Sequence, residues 1–139
     1  METYMNHTYE VKVVEGKFDF YLFFNQVERF GRNLSLSLKE INALRLLTEE
    51  VVVNHLMKHS NNITLTIIYR RPMDDDLADS IEEKDIKVMF DYDGERYNLF
   101  SADDVDDLSF ILIKCLTQSE VFYYDEQNHL AIEMRQEKI

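Results

Sequence analysis

The chain has 139 residues, 45% hydrophobic and 12% aromatic, enough to build a core and too apolar for a disordered polymer. Its 27 acids against 15 Lys and Arg leave a net charge of −12, which repels phosphate backbones and anionic lipid and so argues against nucleic-acid and membrane partners. Cys115 is the single cysteine, so an internal disulfide and a zinc cluster are excluded, and no run reaches the roughly 18 apolar residues of a membrane helix.

In chain order, the start METYMNHTYE has no basic-then-apolar secretory pattern, so a cytoplasmic domain is expected. Tyr9, Val11 and Val13 alternate as one face of a strand. Phe20, Phe23, Phe24, Val27 and Phe30 then recur at intervals of three and four, predicting a helix with an aromatic core face and Gly31 as its C-terminal cap. Ser37 stands three residues before Glu40, a capping-box pattern that opens a helix predicted to run to about His59. On it Ile41, Leu44, Leu47, Val51, Val52 and His55 form the core stripe, with Glu50 and Asn54 one turn apart on its flank. Leu46, Val53 and Met57 form a second apolar side, which suggests burial by a partner as well as by the domain itself.

Ile63, Leu65, Ile67 and Tyr69 alternate as a strand, followed by an acidic segment around 73–84 that is expected to be solvated and mobile. Ile86, Val88 and Phe90 predict the next strand, and Tyr92 to Arg96 a turn around Gly94. Asp104 to Thr117 reads as a helix with Leu108, Ile111, Leu112 and Cys115 on its buried stripe. The chain ends on a hairpin, 120–125 and 129–135, around Glu126-Gln127-Asn128. With no internal repeat and no linker, residues 1–139 are expected to form one domain. Strand, helix, helix, two strands, helix and two strands favour an α+β two-layer sandwich, a mixed, mostly antiparallel sheet with three helices on one face.

Few residues announce chemistry. His55 and His59 lie one turn apart, yet His55 belongs to the core stripe and no zinc-protease Glu follows it. Asp74-Asp75-Asp76 lacks the Gly and closing Glu of a calcium loop. Glu50 with Asn54 is the more specific pair, a carboxylate and a carboxamide able to hold a water or a divalent cation at a cleft edge, or simply each other.

Leu47-Thr-Glu-Glu-Val-Val-Val-Asn54, followed by Lys58, His59 and the strand at Ile63, resembles the N-box helix of the Bergerat-fold (GHKL, histidine-kinase-like) ATPases. It looks most like that of the small bacterial anti-sigma factor serine kinases. Val88-Met-Phe-Asp-Tyr-Asp-Gly-Glu-Arg-Tyr-Asn-Leu99 resembles that family's strand, Asp-x-Gly turn and aromatic-Asn-Pro sequence. Leu112-Ile-Lys114 resembles the helix after its glycine-rich segment, and Val121 to Tyr124 with Asn128 to Leu130 its terminal hairpin, so the likeness covers roughly residues 9–135.

The resemblance implies ATP and magnesium as cofactors, with Asn54 on the metal and Glu50 as the catalytic base or water holder. The family's adenine-reading aspartate falls on Tyr92 when Gly94 is matched, which leaves Asp91 and Asp93 on either side as the nucleotide-binding positions along with Gly94. Where the family has Gly-Gly-Leu-Gly, this chain has Asp106-Asp107-Leu108-Ser109, which sets carboxylates where phosphate oxygens would lie. Residues 74–107 hold 14 acids against Lys84, Lys87 and Arg96. The expectation is therefore an anti-sigma-factor-like regulator that grips a protein partner, a sigma factor or an anti-anti-sigma-like protein, with nucleotide binding weakened or lost. The alternative is an active Mg-ATP-dependent serine kinase acting on an anti-anti-sigma-type partner, and a purely structural subunit is a third reading. Members of the family often pair as dimers, and the stripe Leu46, Val53 and Met57 is consistent with a homodimer.

Overall fold

The computed structural model describes residues 4–72, 85–101 and 108–135. Eight elements follow one another as expected: β1 (Tyr4–Val13), α1 (Phe20–Asn33), α2 (Leu38–Asn54), β2 (Ile63–Pro72), β3 (Asp85–Tyr92), α3 (Leu108–Leu116), β4 (Thr117–Tyr124) and β5 (Asn128–Met134). The acidic segment 73–84, and with it residues 104–107 of the predicted third helix, lies outside the described residues.

The strands form one sheet in the order β1-β2-β3-β5-β4. Every pairing in it is antiparallel, which corrects the expected mixed sheet. A helix between two strands suggests a parallel crossover. Here α3 does bring β4 back in the direction of β3, but one strand position farther out, and the hairpin back inserts β5 between them running the opposite way, so each ladder is antiparallel. Alternation then sorts the faces. Val13, Ile63 and Tyr92 share a row, as do Leu65, Phe90 and Leu130, and Ile67, Val88 and Ile132, all buried on one side. Phe23 and Val27 of α1, six residues of α2 and Phe110 and Ile113 of α3 complete the same core, so the helical layer covers this face. The opposite face carries Thr64, Thr66, Ile68, Lys87, Met89, Asp91, His129, Ala131 and Glu133, none of them fully buried. The result is an α+β architecture of two layers. No helix among the described residues is long and apolar enough to cross a membrane.

The helix ends show where local signals suffice. At α2 the capping box is complete: Glu40 N–H donates to Ser37 Oγ at 3.0 Å, and Ser37 N–H to Glu40 Oε1 at 2.9 Å. α1 is capped by Asp19, whose carboxylate accepts from Leu22 N–H. Gly31 does not end α1 as expected. The helix continues to Asn33, Ser35 takes the left-handed conformation (φ 59°), and Leu36 N–H returns to the Gly31 carbonyl at 2.9 Å. Gly31 is needed for space instead, since a Cβ there would lie 2.5 Å from Ile41 Cγ1. α2 stops at Asn54 rather than near His59, because His55 leaves helical geometry (φ −129°, ψ −65°) and a single 3-10 turn, Leu56–Lys58, follows.

The third helix corrects a phase. Its buried side is Ser109, Phe110 and Ile113, while Leu108, Ile111 and Cys115 are exposed and Leu112 is half-buried. Nine residues apolar almost all round cannot declare which side is inward. Contacts from other elements decide it: the His55 imidazole meets Ser109 Oγ at 3.2 Å, and Phe100 packs edge-on against Phe110. The second apolar side of α2 is not a bare stripe either. Leu46, Val53 and Met57 are half-buried, and Met57 packs against the core.

A candidate cleft between the second and third helices

The capping box sets the start of α2, and its core stripe sets its rotation, which leaves position 50 and position 54 on the flank that faces α3. Glu50 and Asn54 are both half-buried there, and Asn54 Nδ2 donates to Glu50 Oε2 at 2.5 Å. With Lys58 from the 3-10 turn and Leu108, Ser109 and Leu112 from α3 they line a cleft of about 310 Å³. The pair singled out by spacing thus sits in a concavity rather than in open solvent. Lys58, Leu108, Ser109 and Leu112 come from beyond α2, and in the sequence only the motif resemblance, not periodicity, connects them with the pair.

This arrangement offers one carboxylate, one carboxamide, one ammonium and a hydroxyl beside an apolar wall. Asn54 holds Glu50 in one rotamer, and Lys58 supplies the opposite charge at the rim. Among the described residues no group of three or more His, Cys, Asp or Glu is arranged to hold a metal ion, and Glu50 is the one carboxylate among the residues that line this cleft.

The remaining candidate residues are placed elsewhere. Asp91 is on the open face of the sheet, the side away from α2, where its Oδ1 meets His129 Nδ1 at 2.5 Å. Asp93 is engaged by the loop before β2: its Oδ1 accepts from the N–H groups of Asn61 (2.9 Å) and Asn62 (3.1 Å), and its Oδ2 from Asn62 Nδ2 (2.8 Å). Burial alone would raise its pKa, but these hydrogen bonds hold the carboxyl below its ordinary value. Gly94, at φ 95°, lies so close to the same loop that a Cβ would be 2.6 Å from the His59 carbonyl oxygen. Asp93 and Gly94 together dock the end of β3 onto the start of β2.

Tyr92 occupies the position matched to the family's adenine reader. It is buried in the core, and its hydroxyl donates to the Tyr97 carbonyl at 2.5 Å. Burial first, then the neighbouring Tyr97, push the phenol well above its ordinary pKa, so it stays a neutral donor already in use. Tyr97 in turn stacks on His59 with ring centroids 3.8 Å apart, and its N–H donates to Asn128 Oδ1 at 2.8 Å. Asn128, fully buried, also donates through Nδ2 to the carbonyls of Tyr92 (3.3 Å) and Glu95 (3.1 Å). In the sequence Asn128 stands out only as a hairpin residue. At the glycine-rich position, Ser109 directs its hydroxyl to His55, while Asp106 and Asp107 fall outside the described residues. At the position that the resemblance assigns to the adenine reader stands a committed phenol, and its two acidic neighbours are engaged apart from the cleft.

No protein-family model matches the chain, and no curated protein matches it.

Proposed function

We propose that the chain is a regulatory protein of the anti-sigma-factor kind, built on a scaffold like that of the histidine-kinase-type ATPases and binding a protein partner, with nucleotide binding weakened or lost. The likeness in element order and in the pair Glu50 and Asn54 supports the scaffold. The observation that carries the loss of nucleotide is Tyr92, whose ring fills the core and whose hydroxyl is spent on Tyr97. Beside the cleft, Leu108 and Ile111 stand exposed on α3 and offer an apolar grip, while the net charge of −12 favours a partner with a basic surface.

Two measurements on the full chain test this. Calorimetric titration with Mg-ATP is expected to give no heat and no thermal shift at millimolar nucleotide. Micromolar affinity would overturn the loss of nucleotide binding, and phosphate transfer to an anti-anti-sigma-type protein would establish the alternative, the kinase with Asn54 on magnesium and Glu50 as base. Titration with purified sigma factors and anti-anti-sigma-type proteins is expected to give a complex that Ile111→Lys weakens at least tenfold. Absence of any such complex removes the regulator reading.

A further inference from the structure

We propose that the outer edge of β4 is a self-association surface, at which two copies of this chain pair antiparallel through residues 120–124 with Phe122 on the two-fold axis. This goes beyond the proposed function and does not depend on it. β4 ends the sheet order, so the backbone groups on its outer side have no partner strand among the described residues. Natural edge strands usually carry a charge, a Pro or a bulge against such pairing. At the other edge β1 exposes Glu10 and Lys12, an ion pair at 3.9 Å. In β4, Thr117–Tyr124, the only charged residue is Glu120, and there is no Pro. Its bulge lies at Thr117/Ser119, which leaves Ser119 to Tyr124 in regular register with β5. Val121 is 65% exposed and Tyr123 55%, and Tyr124 is exposed as well.

The sequence of this edge is self-complementary, which selects a second copy as the occupant. With Phe122 on the axis, Val121 faces Tyr123 of the other chain on the open side of the sheet, an aromatic-aliphatic pair. On the helix side Glu120 faces Tyr124, so the one charged residue meets no like charge although each copy carries −12. The Arg96 guanidinium lies 5.9 Å from the Phe122 ring, which puts a positive charge beside the axis, one diagonal from Glu120 of the second copy. Tyr123 is already ordered for the contact: its ring stacks on His129 at 4.4 Å, and His129 is held by Asp91 and Asp125.

Sedimentation and light scattering of the full chain from micromolar to millimolar concentration are expected to show a reversible monomer–dimer equilibrium that shifts toward dimer as salt screens the net charge. Tyr124→Glu sets like charges opposite Glu120 at two symmetric positions and is expected to weaken the dimer at least tenfold relative to Tyr124→Lys, which sets opposite charges there. Val121→Lys is expected to weaken it as well. Tyr21, 84% exposed on α1, provides the control for net charge, and its Glu and Lys variants are expected to agree within twofold. Circular dichroism checks that each variant is folded. A wild type that stays monomeric throughout, or Tyr124→Glu and Tyr124→Lys variants that dimerise equally, overturns the proposal.

Discussion

Asp91 and His129 face each other across β3 and β5, with Oδ1 and Nδ1 2.5 Å apart. The other ring nitrogen, Nε2, meets Asp125 Oδ1 at 2.6 Å, so both nitrogens are directed at carboxylates. Burial alone would lower the pKa of His129, but the hydrogen bonds to Asp91 and Asp125 outweigh it and raise the value above the ordinary one. The ion pair joins β3, β5 and the last turn on the open face of the sheet.

That raised pKa has a definite sign in stability. The folded state binds the proton more tightly than the unfolded chain, so the stabilisation is complete below the unfolded value of about 6.5. It is lost as pH rises through the folded value. His129→Gln is expected to cost about 1 kcal/mol at pH 6, in keeping with a partly exposed charge-assisted pair, and the cost should shrink in mildly alkaline buffer. Urea midpoints of both proteins across this range check it. Parallel curves for wild type and variant would show that the pair carries no pH dependence.

Two glycines are expected to fail for different reasons. Gly94→Ala meets a positive φ and a backbone oxygen at 2.6 Å, neither of which can yield cheaply, and should cost about 2 kcal/mol or more. Gly31→Ala gains helix propensity but drives a methyl into the Ile41 side chain, with a net cost of about 1–3 kcal/mol. Because the second clash is with a side chain, Ile41→Ala should relieve part of it, so the double variant loses less than the sum. No change at Gly94 can be relieved that way. Denaturant unfolding of the four variants distinguishes the two cases.

The parts of this fold that were legible in sequence are those decided within one element. The Ser37–Glu40 cap, the core stripe of α2 and the alternation of β2 and β3 need only near neighbours, and the pair Glu50–Asn54 follows from one helical turn. The end of α2 does not. His55 turns inward toward Ser109, which is 54 residues away, and nothing near His55 announces that contact. The phase of α3 was hidden for the related reason that its nine residues are apolar on most sides. The antiparallel sheet depends on where β4 lands, which is a property of the whole chain. Asp91 and Asp93 enter as nucleotide-binding positions only through the resemblance around Gly94, and a motif match carries no information on the loop that Asp93 docks or the cross-strand pair that Asp91 makes.

Cys115 tests the corrected phase of α3. A thiol on the core stripe would be shielded from reagents until the protein unfolds, whereas the exposed Cys115 is expected to react fully in the native protein. Titration with an aromatic disulfide reagent should release one equivalent of product without denaturant, at a rate within about tenfold of the unfolded chain. Labelling that waits for global unfolding would return the stripe to Leu108, Ile111, Leu112 and Cys115.

Asn128 is the strictest polar position in the core, because its one carboxamide serves three backbone groups: it accepts from Tyr97 and donates to Tyr92 and Glu95. Asn128→Asp keeps the shape and removes the donor. An ionised carboxylate would then lie against two carbonyl oxygens in a fully buried site, which raises the folded pKa of the new acid above its ordinary value of about 3.9. For such a group the folded state holds the proton more tightly, so the penalty grows as pH rises from the unfolded value to the folded one and is constant beyond. The expected cost is about 2–4 kcal/mol at pH 7, shrinking toward pH 4, where the protonated acid can donate to one of the carbonyls. Asn128→Ala, which cannot titrate, should lose a similar amount at both pH values. Urea unfolding of wild type and both variants at the two pH values checks the sign, and an Asn128→Asp penalty that does not change between them would mean the carboxamide is not donating to those carbonyls.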